Sequence, residues 1–491
     1  MKPRFTMRQA LDDPALLGAT LQGPSWAAWR VLLIAAMGER LTPAERRIFS
    51  RLTGRAREPL KRVEEAWLVI GRRGGKSRAL AALAAYLSGL CDHRDVLAPG
   101  ERGIVLCIAP DQKQAGIILD YAEAAFRAAP IMAQLIGSRT ADALELTSGI
   151  ALEVRAASFR RLRGPSFVAV LADEAAFWHD SEASTNPDTE ILNAVRPGLA
   201  TTGGPLLCAS SPYARRGALW DAHRKHFGPD GDKLIMVAQA PTRSLNPTLP
   251  QRVVDRAMER DPAAAAAEYL AQFRSDIESY ISREAVEATV SRGVRERAPL
   301  PGVQYFGFVD PSGGSVDSMT LAIAHREADR AIIDCLREVR PPFSPSGVVA
   351  EFATLLKSYR VRQVRGDRYA GEWPREQFRQ RGVEYFPADK TKSDLYVDLL
   401  APLNSARVDL LDNDRLVTQL AGLERRTARS GKDSIDHTPG ARDDVANAVA
   451  GAVHLALARP QPRVGLAAPK LVEPSSHIRW IGGEVPQWSG R

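Results

Sequence analysis

Ala66-Trp67-Leu68-Val69-Ile70-Gly71-Arg72-Arg73-Gly74-Gly75-Lys76-Ser77 decides how the first half of this chain is read. An apolar run of strand character, Trp67 to Ile70, breaks into a glycine-rich turn. A lysine and a hydroxyl residue then open an alanine- and leucine-rich helix, Arg78 to Leu90. Strand, glycine loop with Lys-Ser, then helix is the order that cradles phosphate. The glycines let backbone N–H groups point inward, the helix N-terminus favours negative charge, Lys76 reaches the outer phosphates and Ser77 ligates Mg²⁺. The loop departs from G-x-x-x-x-G-K-[ST]: Ile70 stands where the first glycine belongs, and Gly71 comes one place late. Taken alone, the stretch also fits a glycine turn with an exposed lysine.

A second strand supplies what such a loop needs. Phe167-Val168-Ala169-Val170-Leu171-Ala172-Asp173-Glu174 is a near-continuous apolar run ending in two carboxylates. A buried parallel strand with acids at its carboxyl end, where ligands bind in open α/β sheets, has the form of a Walker B element. Asp173 then holds the Mg²⁺ shell through water, and Glu174 orients and activates the attacking water. Gly103 to Pro110 reads as another buried strand with a helix following through Ala128, and Ile150 to Ala156 alternates like an edge strand. Gly204 to Pro212 makes a further strand, ending in Ser210-Ser211-Pro212. A polar residue such as Ser210 there either senses the terminal phosphate of a nucleotide or caps the next turn. Strands alternating with helices over 66–212 predict a doubly wound parallel sheet, the α/β core of a P-loop NTPase.

The flanks are helical. Pro24-Ser25-Trp26 opens a helix with Trp26, Trp29 and Leu33 on one face, expected to pack into the core. The other reading makes the tryptophans a lid over a nucleotide base, with Gln22 reading adenine. Residues 1–60 are taken as a helical segment of the ATPase domain, 61–212 as its core, and 213–290, with the alanine run Ala263 to Ala267, as a helical lid or linker.

With 491 residues, 45% of them hydrophobic and 25% charged, the chain has room for several ordinary globular cores. A formal net charge of +8 favours an anionic partner, most simply nucleic acid. The four cysteines form no C-x-x-C pair, and the eight histidines show no zinc spacing. Cys107 and Cys208 lie in apolar runs and read as buried thiols. Neither a run long enough to span a membrane nor a signal-peptide layout is present, so a cytosolic protein without membrane contact is expected.

The C-terminal third carries a different pattern. Gln304 to Pro311 is an apolar strand ending at Asp310; a glycine turn, a strand from Met319 to Ala324 and a third from Ala331 to Leu336 follow. A helix from Ser346 to Tyr359 precedes a short strand ending at Asp367, and Ala441-Arg442-Asp443-Asp444 opens an alanine-rich helix. Acids on the first strand, the fourth strand and the last helix are in the order of an RNase H-like α/β nuclease domain, here 291–458. Hard Mg²⁺ or Mn²⁺ ions want such oxygen ligands, and two of them about 4 Å apart stabilise both the attacking and leaving oxygens of a phosphodiester. Asp310, Asp367 and Asp444 are the candidate metal ligands and catalytic acids. Asp444 is preferred to Asp443 because it shares a helical face with Asn447, and Ala448 lets that helix approach the sheet. Asp317 is a spare carboxylate. Arg425, Arg426 and Arg429, with Lys432, form either a DNA-backbone contact or a solvated basic face. The proline-rich tail, 459–491, reads as extended.

On the loop Gly71 to Ser77, the run Val170 to Glu174, the Ala209-Ser210-Ser211-Pro212 strand end and the three acids, residues 20–455 resemble the large terminase subunit of tailed bacteriophages. That resemblance implies a packaging ATPase fused to a nuclease, with ATP and Mg²⁺ (or Mn²⁺ in the nuclease site) as cofactors. It also implies double-stranded DNA, a portal protein and a small terminase subunit as partners, a homo-oligomeric ring during packaging, and residence in the bacterial host cytoplasm rather than the mature virion. An irregular phosphate loop is typical of the family, where an arginine in it acts as the finger that triggers hydrolysis; here that is Arg72 or Arg73. Ser210 and Ser211 fall in the motif thought to couple hydrolysis to movement. Asn447 stands where related nucleases carry another acid. The alternative is a P-loop helicase or repair ATPase with an accessory nuclease domain.

Overall fold

The structure, a computed structural model, describes residues 1–157, 162, 164–178, 187–315, 317–367, 373–427, 433–438 and 441–458. Arg429, Lys432 and the proline-rich tail lie outside them. Among the described residues no helix is long and apolar enough to cross a membrane.

The first half is built on strands β1 (Glu65–Ile70), β2 (Gly103–Ala109), β3 (Ile150–Ala156), β4 (Ser166–Asp173), β5 (Leu206–Ser210) and β6 (Ile235–Ala240). They lie in the order β6-β1-β5-β4-β2-β3, all parallel, and a hairpin of Ile136–Arg139 and Ala143–Leu146 extends the sheet beyond β3. Parallel strands need helical crossovers on both faces, so these strands are apolar along nearly their whole length. Helix α1 (Lys76–Gly89) is buried from Ala79 onward, and its alanines let it lie between the sheet and the Gln112–Arg127 helix.

Two expectations are corrected here. Ile150–Ala156 is not an edge strand: it pairs with β2 on one side and with the hairpin on the other. Its alternation comes from Glu153 and Arg155, which pair with each other and, through Glu153, with Arg102 on a polar face of the sheet. Residues 213–280 are not only helical, since β6 runs beside β1 over its full length, from Ile235 opposite Glu65 to Ala240 opposite Ile70.

The second half is a mixed sheet. Strands β7 (Tyr305–Asp310), β8 (Met319–Glu327) and β9 (Arg330–Val339) form an antiparallel meander, and β10 (Gln363–Gly366) and β11 (Glu384–Pro387) add in parallel on the far side of β7. The order β11-β10-β7-β8-β9 continues through Val408–Leu411 and Val290–Ser291. Helix α2 (Lys392–Asn404) and helix α3 (Asp444–Ala458) cover one face. At Gly451 the ring of Phe308 comes so close that an added Cβ would stand 2.2 Å from it, so α3 rests directly on β7.

A three-stranded sheet joins the halves, pairing Ile277–Ser279 with β12 (Leu423–Thr427) and β12 with β13 (Asp433–His437). Glu424 on β12 is fully buried and accepts a 2.8 Å hydrogen bond from the Tyr213 hydroxyl, three residues past the end of β5, as well as bonds from Arg216 and Arg426. Of the basic residues expected to form a DNA contact or a solvated face, Arg426 is instead paired with the buried Glu424, while Arg425 stays at the surface in an ion pair with Asp433.

Candidate functional site

β1 ends at Ile70, and the chain turns through Gly71 to Gly75 into α1. Gly75 has φ +89°, and a Cβ there would stand 2.9 Å from the Trp26 ring, so the turn needs glycine. Two distant segments fix the loop with three hydrogen bonds. Trp29 Nε1 donates to the Gly74 carbonyl at 2.7 Å, Thr242 Oγ1 to the Arg72 carbonyl at 2.7 Å, and Asn246 Nδ2 to the Arg73 carbonyl at 3.0 Å. Trp29 is fully buried, as core packing predicts, but its ring nitrogen also holds the loop. Trp26 packs on Gly75 with the Arg78 guanidinium 5.0 Å from its ring centre, and Gln22 is exposed. Trp29→Phe leaves the Gly74 carbonyl without that donor. The expected result is a loss of about 1 kcal/mol in stability, read by thermal melts.

Inside the loop the charged groups converge. The Lys76 side chain is nearly buried, and its Nζ lies 2.9 Å from Glu174 Oε1, 2.9 Å from Ser211 Oγ and 3.3 Å from the Ile70 carbonyl. Glu174 Oε2 accepts from the Ser211 backbone N–H at 2.8 Å and from Ser210 Oγ at 3.3 Å. Ser77 Oγ donates to Asp173 Oδ2 at 3.0 Å. Thus Lys76, Ser77, Asp173, Glu174 and Ser210 meet at the carboxyl ends of β1, β4 and β5. Ser211, quoted in the strand-end motif, turns out to be the hydroxyl that accepts from Lys76.

A Mg²⁺ shell fits this geometry. Asp173 is fully buried and its Oδ1 has no hydrogen-bond partner. Burial and then the Glu174 charge push its carboxyl upward, while Lys76 and Ser77 pull the other way. A cation beside Ser77 would satisfy that oxygen and reverse the shift. Arg72 is exposed and pairs with Glu268 at 2.9 Å; Arg73, at φ +63°, occupies the left-handed region. Both lie at the loop's outer surface.

The second cluster follows from strand register. Val309 pairs with Gly366, so Asp310 and Asp367 leave neighbouring parallel strands side by side. Asp310 is pushed well above the ordinary carboxyl range, first by burial, and Asp444, Asp367 and Asp443 add to it, while the hydrogen bond from Asn447 opposes. Asn447 Nδ2 donates to Asp310 Oδ2 at 2.9 Å, so the residue standing in an acid's place steadies a neighbouring acid. Burial, then Asp443 and Asp317, push Asp444 up to about 6, and its Oδ2 accepts from the Ser318 N–H at 3.3 Å. Four carboxylates crowded in a low-dielectric corner resist ionising together, and a divalent cation relieves that. Asp317 is exposed.

Among the described residues, however, the trio whose ligand atoms all lie within 4.8 Å of one another is Asp436, His437 and Asp443, rather than Asp310, Asp367 and Asp444. Spacing along the chain carries no sign of this group.

Strand order and site geometry define the class of fold: a P-loop NTPase-type doubly wound α/β domain followed by an RNase H-like α/β domain. No family model matches the chain, and no curated protein matches it. Among solved structures it is similar to the HK97 bacteriophage large terminase, at 16% identity and TM-score 0.37 over 88% of this chain and 100% of that one. It is similar to the large terminase of a thermophilic bacteriophage at 11% identity and TM-score 0.38, over 89% of this chain and 100% of that one. The large terminase nuclease of thermophilic phage G20c, with bound magnesium, matches at 18% identity and TM-score 0.31, over 35% of this chain and 96% of that one. At these values the fold assignment rests on the strand order and sites above.

Proposed function

We propose that this chain is the motor and nuclease subunit of a viral DNA-packaging terminase. It hydrolyses ATP to move double-stranded DNA into a procapsid and cuts concatemeric DNA with a metal-dependent endonuclease. The observation that carries the reading is the joint presence, in one chain, of two sites. One is a Lys76–Ser77–Asp173–Glu174 cluster at the end of a parallel sheet. The other is a buried carboxylate cluster at the end of an RNase H-ordered sheet. The irregular phosphate loop with its arginines supports the terminase version of that pairing.

In the nucleotide site, Lys76 and Glu174 form an ion pair. A bound γ-phosphate takes over Lys76 and frees Glu174 to orient water, while Arg72 or Arg73 supplies the triggering positive charge. Ser210 and Ser211, which touch both Glu174 and Lys76, pass the change along β5. In the nuclease site, Asp310, Asp367 and Asp444 hold the ions, which when bound supply charge stabilisation to the phosphodiester oxygens. The ATPase core is 61–212 together with β6, the lid or linker runs to about 290, and the nuclease domain spans 291–458. Portal, small subunit, a ring of copies and the host cytoplasm complete the proposal.

Triplex displacement tests it. With ATP the protein is expected to strip a third strand from a duplex while leaving the duplex paired, and Lys76→Ala is expected to displace no strand. Separation of the duplex strands instead would favour the helicase or repair reading.

A further inference from the structure

The Asp436, His437 and Asp443 group has the composition of a cation site, yet a cation already sits in it. Lys392 Nζ lies 2.9 Å from Asp436 Oδ1 and 3.1 Å from Asp443 Oδ2. His437 Nδ1 is 2.8 Å from the Thr438 carbonyl, which assigns the ring proton to that nitrogen and leaves the lone pair on Nε2, 3.8 Å from Asp436 Oδ1, the tautomer a metal would use. Asp443 is only 5% exposed, and Tyr396 also donates to its Oδ2 at 2.8 Å. Lys392 opens α2, where the helix dipole disfavours a cation, so its place is set by the two acids.

We propose that Lys392 is a built-in cation of the nuclease centre and a positioning residue for its chemistry. It keeps Asp436, His437 and Asp443 from taking a divalent ion, and it ties Asp443 to α2 so that Asp444 of the adjacent pair is left to serve Asp310 and Asp367. The second part rests on the nuclease reading; the first does not. Asp443 immediately precedes α3, and its carbonyl accepts the Asn447 N–H at 2.8 Å. Anchoring Asp443 through Lys392 and Tyr396 thereby fixes the turn that presents Asp444 and Asn447 to Asp310.

The test uses the full chain and Mn²⁺ alone, counted by electron paramagnetic resonance. Lys392→Met, which keeps the stem and removes the charge, is expected to bind one Mn²⁺ per chain more than wild type. Adding His437→Gln is expected to remove that extra ion. In plasmid cleavage, Lys392→Met is expected to raise the Mn²⁺ half-saturation about 10- to 100-fold, with Lys392→Arg restoring the wild-type value and ATP hydrolysis unchanged as a check on folding. Equal Mn²⁺ stoichiometry in wild type and Lys392→Met would overturn the proposal. So would an unchanged half-saturation. If wild type cuts no DNA with Mn²⁺ but Lys392→Met still gains an ion, the built-in cation stands and the nuclease reading falls.

Discussion

Glu174→Gln is expected to lower the turnover number for ATP about 10²- to 10⁴-fold, the range for loss of a positioned general base, without raising KM. The second half of that expectation comes from the ion pair. Glu174 Oε1 sits 2.9 Å from Lys76 Nζ, so a phosphate that takes Lys76 must displace it. A neutral glutamine removes the competitor, and ATP then binds as well as before or better. The backbone points the same way: Glu174 stands at φ +51°, a region costly for a residue with a Cβ, and its N–H is tied to the Ala209 carbonyl at 2.9 Å. Strain of this kind aims the side chain across the end of β5 at Ser210 and Ser211. Lys76→Ala should behave differently, losing affinity as well as turnover. Steady-state hydrolysis with duplex DNA and equilibrium binding of a labelled nucleotide separate the two variants. A Glu174→Gln turnover within about threefold of wild type would remove Glu174 from the role of general base.

What the sequence carried and what it hid divide along physical lines. β1, β4 and β5 were legible because strands buried on both faces write themselves as continuous apolar runs, and their functional residues sit at the ends of those runs. β6 was missed because Ile235–Ala240 lies between helical stretches, with nothing local to announce a parallel partner as far upstream as Glu65. Alternation in β3 was real but misread: it reports one polar face, and a strand can have a polar face while paired on both edges. The same limit governs the sites. Asp310 and Asp367 could be picked out as strand-end acids. The helical face shared with Asn447 favours Asp444 over Asp443, but the contact that holds Asp443 could not be read, because Lys392 lies 51 residues from it in sequence. Arg425 and Arg426 looked free in sequence because their partners, Asp433 and Glu424, are ordinary acids until β12 and β13 bring them alongside.

Asp310→Asn should separate activity from stability in the nuclease domain. Plasmid cleavage with Mg²⁺ or Mn²⁺ is expected to fall at least about a hundredfold, since a ligand shared with the reacting phosphate matters more than an outer-shell group. ATP hydrolysis should stay at the wild-type rate, and Lys76→Ala should still cut. The metal-free protein, however, is expected to melt higher as Asp310→Asn than as wild type. Burial, and then Asp444, Asp367 and Asp443, work against the Asp310 carboxylate, and the group that steadies its charge is Asn447, at 2.9 Å. An amide of the same shape needs no countercharge, and its oxygen can still accept from Asn447. Adding Mn²⁺ should then raise the melting temperature of wild type and leave that of Asp310→Asn nearly unmoved, because binding to the folded state stabilises it in proportion to affinity. The crossing of those two curves is the decisive feature. A structural acid would give a variant that melts lower with or without metal; a ligand held in readiness gives one that melts higher until the ion arrives, since a site built to hold charge is strained while empty of it.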